Sequence, residues 1–309
     1  MAIRLGLGLP QMRQYDIGRD VPAVARAAEE TGYESLWVFE RVLFPEPATQ
    51  GLYGIPGLAW PDQYRAVADP LVTLTLAAAA TERARLGTSV LVAPLHIPFQ
   101  LARSLATLDA ASGGRLLAGF GTGWSLDEYA AAAPAAFEKR GAVLDEVLDV
   151  CQAVWGPDPV AYEGELTTIT SAVVGPKPAR PIPVYLAAMA PRASRRLVDR
   201  ADGWLPAAMG AEQLAADWRK LKDLAAERGR ERPIAVCVRA NGEYSEKPFE
   251  GQARRPFQGS VDQIVEDLVA HAAVGVDEIM IDLQGHTRDA EELTDVAAAV
   301  YAGVRACGA

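Results

Sequence analysis

The sequence predicts a single α/β domain over residues 1–309, a (β/α)8 barrel of the TIM barrel type. Three observations carry this. Short apolar runs alternate with longer amphipathic Ala/Leu/Arg/Glu runs along the whole chain. The short runs, such as Val90-Leu91-Val92 and Ile279-Met280-Ile281, are apolar at successive positions, as parallel strands covered by helices on both faces require. Eight such units suit a closed barrel better than an open doubly wound sheet, and barrels run beyond about 200 residues as one domain.

The elements follow in order. A first strand over residues 3–9 leads to a helix over 20–31, closed by Gly32. The second strand, 35–39, is followed by a loop over 40–62 rich in proline and glycine, with Gly51, Gly54 and Gly57 as turn formers. The next helix, 69–81, has Pro70 in its first turn, where the missing N–H costs nothing. The third strand is 85–92, its helix 98–111, stopped at Gly113-Gly114. The fourth strand, 115–119, passes through a glycine-rich turn into a helical stretch over 126–154, and a hairpin is expected around Tyr162-Glu163-Gly164-Glu165. Strands at 183–187, 203–206, 234–239 and 278–283 complete the set, with helices at 193–200, 211–228, 261–271 and 289–306. Insertions are expected after strands 2, 4 and 7. In a barrel those loops share the C-terminal rim, where active sites of this fold are built.

Composition narrows the function. Hydrophobic residues make up 50% and charged residues 23%, ordinary for a globular enzyme. A net charge of −10 argues against a sequence-blind grip on nucleic acid, which needs clustered Lys and Arg. Cys151, Cys237 and Cys307 are odd in number and far apart, so reduced thiols in a cytoplasmic protein are expected. No apolar run approaches the roughly 20 residues of a membrane span, and the N-terminus reads as a strand rather than a signal peptide. His96, His271 and His286 have no metal-ligand spacing, so no catalytic metal is expected.

Four segments offer chemistry. Glu40-Arg41 directly follows the second strand, so the carboxylate either faces the barrel mouth or joins an ion pair that holds the loop. The neighbouring Trp37 fits barrel packing better than ligand contact. Gly87 to Pro94 places Thr88 and Ser89 in a strand interior, which suggests a bulge. Gly119-Phe120-Gly121-Thr122-Gly123-Trp124 alternates glycines that let a backbone approach a flat ligand, or forms a plain tight turn. Leu186 to Arg192 puts small residues before a helix, where free amides and the dipole favour an anion, with Arg192, Arg195 and Arg196 adding charge. His96 and His286 follow strands three and eight on the same rim, open to proton transfer or simple hydrogen bonding. A hydrolase pairing Glu40 with Asp127 or Glu128 is a further alternative.

Longer strings add a resemblance. Leu86-Gly-Thr-Ser-Val-Leu-Val-Ala-Pro94, and Ser104 through Ala-Thr-Leu-Asp-Ala-Ala-Ser-Gly-Gly-Arg to Trp124, resemble the bacterial luciferase-like monooxygenase superfamily. So do Gly32 to Trp37, Pro183 to Ala188, Ala201 to Pro206 and Gly275 to Ile279. The resemblance spans nearly the whole chain. It implies a barrel with insertions, working with reduced FMN or the deazaflavin coenzyme F420, and the detail is closest to the F420-dependent branch. In that branch the third strand often carries a non-proline cis peptide, which implies Ser89–Val90 here, with Val90 backing the ring. The resemblance further implies Gly121, Thr122 and Gly123 along the ring, and Ala187, Ala188 and Met189 near the ring or its tail. It makes Arg192 a phosphate partner. Many F420-dependent members have Asp-His where this chain has Glu40-Arg41; Arg stays protonated, so among the candidate catalytic residues Glu40, Arg41 and His96 the role left to Arg41 is to steady a negative substrate or the charge on N1 of the reduced ring. The activity implied is an F420-dependent oxidoreductase moving a hydride between cofactor and a small organic substrate. In the loops over 41–62 and 240–259, Phe44, Tyr53, Trp60 and Phe257 either point to a partly apolar substrate or pin their loops. An FMN-dependent monooxygenase using O2 and a non-catalytic flavin-binding protein are the alternatives. Family precedent implies a homodimer formed through a helical face.

Overall fold

Eight parallel strands close on themselves in the computed structural model, which describes residues 2–188, 190–251 and 253–309. They are β1 (Arg4–Gly8), β2 (Ser35–Val38), β3 (Arg85–Thr88, resuming at Leu91–Val92), β4 (Leu116–Gly121), β5 (Val184–Leu186), β6 (Gly203–Trp204), β7 (Ala235–Asn241) and β8 (Glu278–Asp282). Each pairs in parallel with the next in sequence. β8 pairs with β1, with Leu5 opposite Ile279, and this closes the ring.

Helices cover the outside: α1 (Ile17–Thr31), α2 (Pro70–Ala80), α3 (Pro98–Ala111), α4 (Leu126–Ala132), α5 (Arg140–Trp155), α6 (Pro191–Arg200), α7 (Ala211–Glu227), α8 (Val261–Ala272) and α9 (Ala290–Ala306). Several start on side-chain caps that satisfy orphan amides. Asp16 accepts from Arg19 N ahead of α1, and Asp69 from Val72 N ahead of α2. Ser260 and Gln263 form a capping box on α8.

The barrel interior follows from strand alternation. On β8, Glu278, Met280 and Asp282 point inward, while Ile279 and Ile281 pack outward in the main core beneath the helices. Trp37, Leu117, Tyr185, Leu205, Cys237 and Met280 form the middle layer, with Val90 packed against it. Trp37 is fully buried and donates to Ser35 Oγ at 2.6 Å. Glycine at 6 and 87 makes room for it, since a Cβ at either position would run into its indole. Packing is therefore the role of Trp37. Below this layer Glu278 meets Arg85 at 2.5 Å and Ser35, closing the floor. Cys151 and Cys237 are buried and Cys307 is exposed.

One element differs from the sequence-based expectation. The helical stretch over 126–154 is broken into α4, a 3-10 turn at Phe137–Lys139 and α5. Pro134 is the cause: it forces Ala133 into extended backbone at ψ 135 and offers no amide to the helix. The third strand is interrupted at Ser89 and Val90, where the bulge is expected. The hairpin, Val160–Glu163 with Thr168–Ala172, follows α5, where the sequence places it after the helical stretch. The long excursions after β2 and β7 are present, and the latter adds a small strand pair, Glu243–Tyr244 with Gln258–Gly259.

Candidate active site at the barrel mouth

The wall of the mouth is the interrupted third strand. The Ser89–Val90 peptide is cis and not followed by proline. Ser89 N donates to Val38 O at 2.7 Å, and Glu40 N donates to Val90 O at 3.2 Å. The Glu40 carboxylate, 3% exposed, then accepts from Val92 N at 2.6 Å and meets His96 Nε2 at 2.8 Å. Both of its oxygens are thereby committed to residues 92 and 96. Burial pulls the His96 imidazole down, but the hydrogen bond and charge of Glu40 outweigh it, so its pKa is raised.

Arg41 pairs with Glu128 rather than with Glu40. Its Nη1 lies 2.6 Å from Glu128 Oε2, and its guanidinium sits 4.9 Å from the Trp124 ring centroid. Val42 N adds a second bond to Glu128 at 3.0 Å. Burial still raises the Glu128 carboxyl more than Arg41 lowers it. Arg41 thus ties the loop after β2 to α4. Asp127 is held by Thr49 N at 3.0 Å. Glu40, Asp127 and Glu128 are each engaged elsewhere, so among the described residues these carboxylates do not form a free pair for hydrolysis.

Beside this wall the ends of β4 and β5 carry only small side chains. Gly121 touches Val90: a Cβ there would lie 2.6 Å from Val90 Cγ2. Thr122 and Gly123 are partly exposed, Gly123 has φ +68, and Ala187 is exposed. Thr122 O accepts from Tyr129 OH at 2.5 Å, and Ala188 O from Trp204 Nε1 at 3.1 Å. The strip offers backbone to a flat ligand without side-chain obstruction. At its edge the Trp124 Nε1 donor is buried with no partner among the described residues, a group that a ligand acceptor would satisfy. These residues fit a planar flavin-type cofactor. Met189 lies outside the described residues. Arg192 is exposed and forms no ion pair among the described residues, whereas Arg196 is bound to Asp145 at 2.5 Å.

Opposite the wall lies a cavity of about 570 Å³, within the range of small-molecule sites. Met12, Tyr53, Tyr64 and Phe257 give it an apolar side, and Arg239, Asn241 and Asp282 a polar one. Arg239 joins the cavity to the wall. It donates to Ser89 O, and it reaches Asn241 Oδ1 at 2.8 Å and Asp282 Oδ2 at 2.5 Å. Sequence reading did not select Arg239 or Asp282, yet each is a charge at the end of an apolar strand, and that pattern is readable. His286 lines the cavity rim, exposed. His271 is 2% exposed, with its ring nitrogens 2.6 Å from Asp267 O and 3.0 Å from Met209 O, a structural role.

Comparison with known proteins places this geometry. The profile of the luciferase-like monooxygenase family matches residues 6–278. An uncharacterised protein of Mycobacterium tuberculosis is 35% identical over 199 residues, 62% of this chain and 68% of that one. An F420-dependent glucose-6-phosphate dehydrogenase of Intrasporangium calvum is 35% identical over 164 residues, 51% of this chain and 49% of that protein. Among solved structures, a monooxygenase from Streptomyces bottropensis superposes with a TM-score of 0.78 at 18% identity, covering 99% of this chain and all of that one. This last likeness is one of fold.

Proposed function

The chain belongs to the luciferase-like monooxygenase family and is an oxidoreductase, and we propose that it uses coenzyme F420 to exchange a hydride with a small, partly apolar organic substrate. The observation that carries this reading is the wall formed by Val90 against Gly121, flanked by unobstructed backbone at 122–123 and 187–188. The similarity to an F420-dependent dehydrogenase supports the choice of cofactor. F420 supplies the hydride chemistry; the protein supplies orientation and a dry site. Val90 backs the ring, residues 121–123 run along it, and Ala187 and Ala188 approach its tail. Glu40 acts through His96 and Val92 by holding the wall in place. His96, raised by Glu40, is the group on this side able to hold a proton near neutral pH.

The test is a titration of the purified protein with F420 and with FMN, read by absorbance and tryptophan fluorescence. Saturable F420 binding and substrate reduction without oxygen are expected. Tight FMN binding with no response to F420, and oxygen consumption with reduced FMN, would instead make it a flavin monooxygenase. Binding without turnover of any substrate would make it a cofactor carrier. On cysteine usage we place it in the cytoplasm; among the described residues no helix is long and apolar enough to cross a membrane.

The same reading includes a homodimer. The eleven residues of α2 carry no charged side chain, and Val72 and Ile97 stand 58% and 51% exposed on the α2–α3 face. An exposed apolar face of this kind expects cover. Sedimentation should give a dimer, and Val72→Glu a monomer.

A further inference from the structure

The charges lining the mouth cavity cancel in pairs. Arg239 meets Asp282 at 2.5 Å, and Arg255 meets Glu243 at 2.5 Å. An anionic ligand would therefore have to compete with Asp282 for Arg239, or be desolvated without a partner, which is costly. The other side is apolar, lined by the rings of Tyr53, Tyr64 and Phe257. The polar wall also carries an uncharged donor. Arg239 Nε donates to Asn241 Oδ1 at 2.8 Å, and since a guanidinium only donates, this fixes which end of the amide faces it. Asn241 Nδ2 then points elsewhere on the cavity wall and donates to no group among the described residues.

We propose that this chamber binds an uncharged molecule whose oxygen accepts from Asn241 Nδ2 and whose ring or apolar body lies against Tyr53, Tyr64 and Phe257. Asn241 is then the specificity-determining residue, presented by Arg239. Phosphorylated sugars and carboxylates are excluded, in contrast to the substrate named for the dehydrogenase relative. The inference rests on the oxidoreductase reading only in making this molecule the hydride partner; its binding needs no cofactor.

The experiment titrates the full-length protein by calorimetry with cyclohexenone, cyclohexanecarboxylate and glucose 6-phosphate, with and without F420. Cyclohexenone should saturate, and both anions should bind at least about tenfold more weakly. Asn241→Leu should weaken cyclohexenone about tenfold, the effect of losing one hydrogen bond in a desolvated site. Asn241→Ser, too short to reach, should do the same if the leucine variant fails to fold. An anion that binds as tightly as the ketone would overturn the proposal. So would a ketone that never saturates up to its solubility limit, or an Asn241 variant with unchanged ketone affinity. Ketone binding that follows the expected pattern while F420 gives no response would remove the cofactor reading and leave the chamber standing.

Discussion

Strand β8 puts one carboxylate at each end of the barrel interior, Glu278 at the floor and Asp282 at the mouth, and each meets an arginine from another strand at 2.5 Å. At the floor, Glu278 is 1% exposed and accepts from Arg85 and Ser35, with Arg4 at 3.7 Å. Every donor there converges on one carboxylate. At the mouth the convergence is reversed. Arg239 spreads its donors over Ser89 O, Asn241 and Asp282, and the cluster borders a cavity of about 570 Å³. The same pair chemistry thus plugs one end and, at the other, links the Ser89–Val90 wall to a chamber. Changes at the floor should cost stability, and changes at the mouth should alter what binds.

The largest effect is expected from Glu278→Ala. It leaves Arg85, Arg4 and the Ser35 hydroxyl without their shared acceptor, and losing a charge-assisted hydrogen bond together with the packing of a buried side chain costs about 3 kcal/mol. Urea unfolding should show this as a lower midpoint, with F420 binding unchanged in the protein that remains folded. Equal losses of stability and of cofactor affinity would break the division between floor and mouth. Asp282→Asn should cost less, about 2 kcal/mol, because Arg239 keeps Ser89 O and Asn241 as acceptors. Its signature is selectivity. The chamber gains one net positive charge, so cyclohexanecarboxylate should bind about tenfold more tightly than to the wild type by calorimetry.

What is readable in the sequence and what is not follows from how each part is encoded. The barrel is written locally: apolar strand cores such as Ile279-Met280-Ile281, and glycine or capping residues between elements. The wall was reached through the string around Ser89 and Val90, and the small residues at 121–123 stand together in sequence as they do in space. The bond between Glu40 and His96 spans 56 residues and exists only because β2 and β3 are neighbours in the closed sheet. The contact from Arg239 to Ser89 O spans 150 residues and crosses the mouth. Arg41 shows the same limit from the other side, since its partner Glu128 sits on α4, whose start is set by Ser125 and whose end is forced by Pro134. A single sequence shows that a charge ends a strand, but the barrel's closure decides which charge it meets.

Gly121→Ala probes the wall itself. The added Cβ would lie 2.6 Å from Val90 Cγ2, so Val90 must shift, at about 1–2 kcal/mol for a modest overpacking. The fold should survive with a slightly lower melting temperature while F420 affinity falls by more than that shift accounts for. An unchanged affinity would mean that Val90 does not back the ring.

The smallest effect concerns His96, 27% exposed and bonded to Glu40. Its folded pKa is raised, since Glu40 outweighs the opposing effect of burial. A histidine raised on folding contributes stability that is fully present below its unfolded value of about 6.5. That stability is lost as pH rises through the higher folded value. Asparagine at 96 cannot take up a proton. The melting temperature of the wild type should therefore exceed that of His96→Asn by most at pH below about 6.5, with the gap narrowing in alkaline buffer. A gap independent of pH would mean that the Glu40–His96 contact is a neutral hydrogen bond. His96 would then position the wall without holding a proton, and the proton handled at this site would have to come from the chamber side, where His286 stands at the rim.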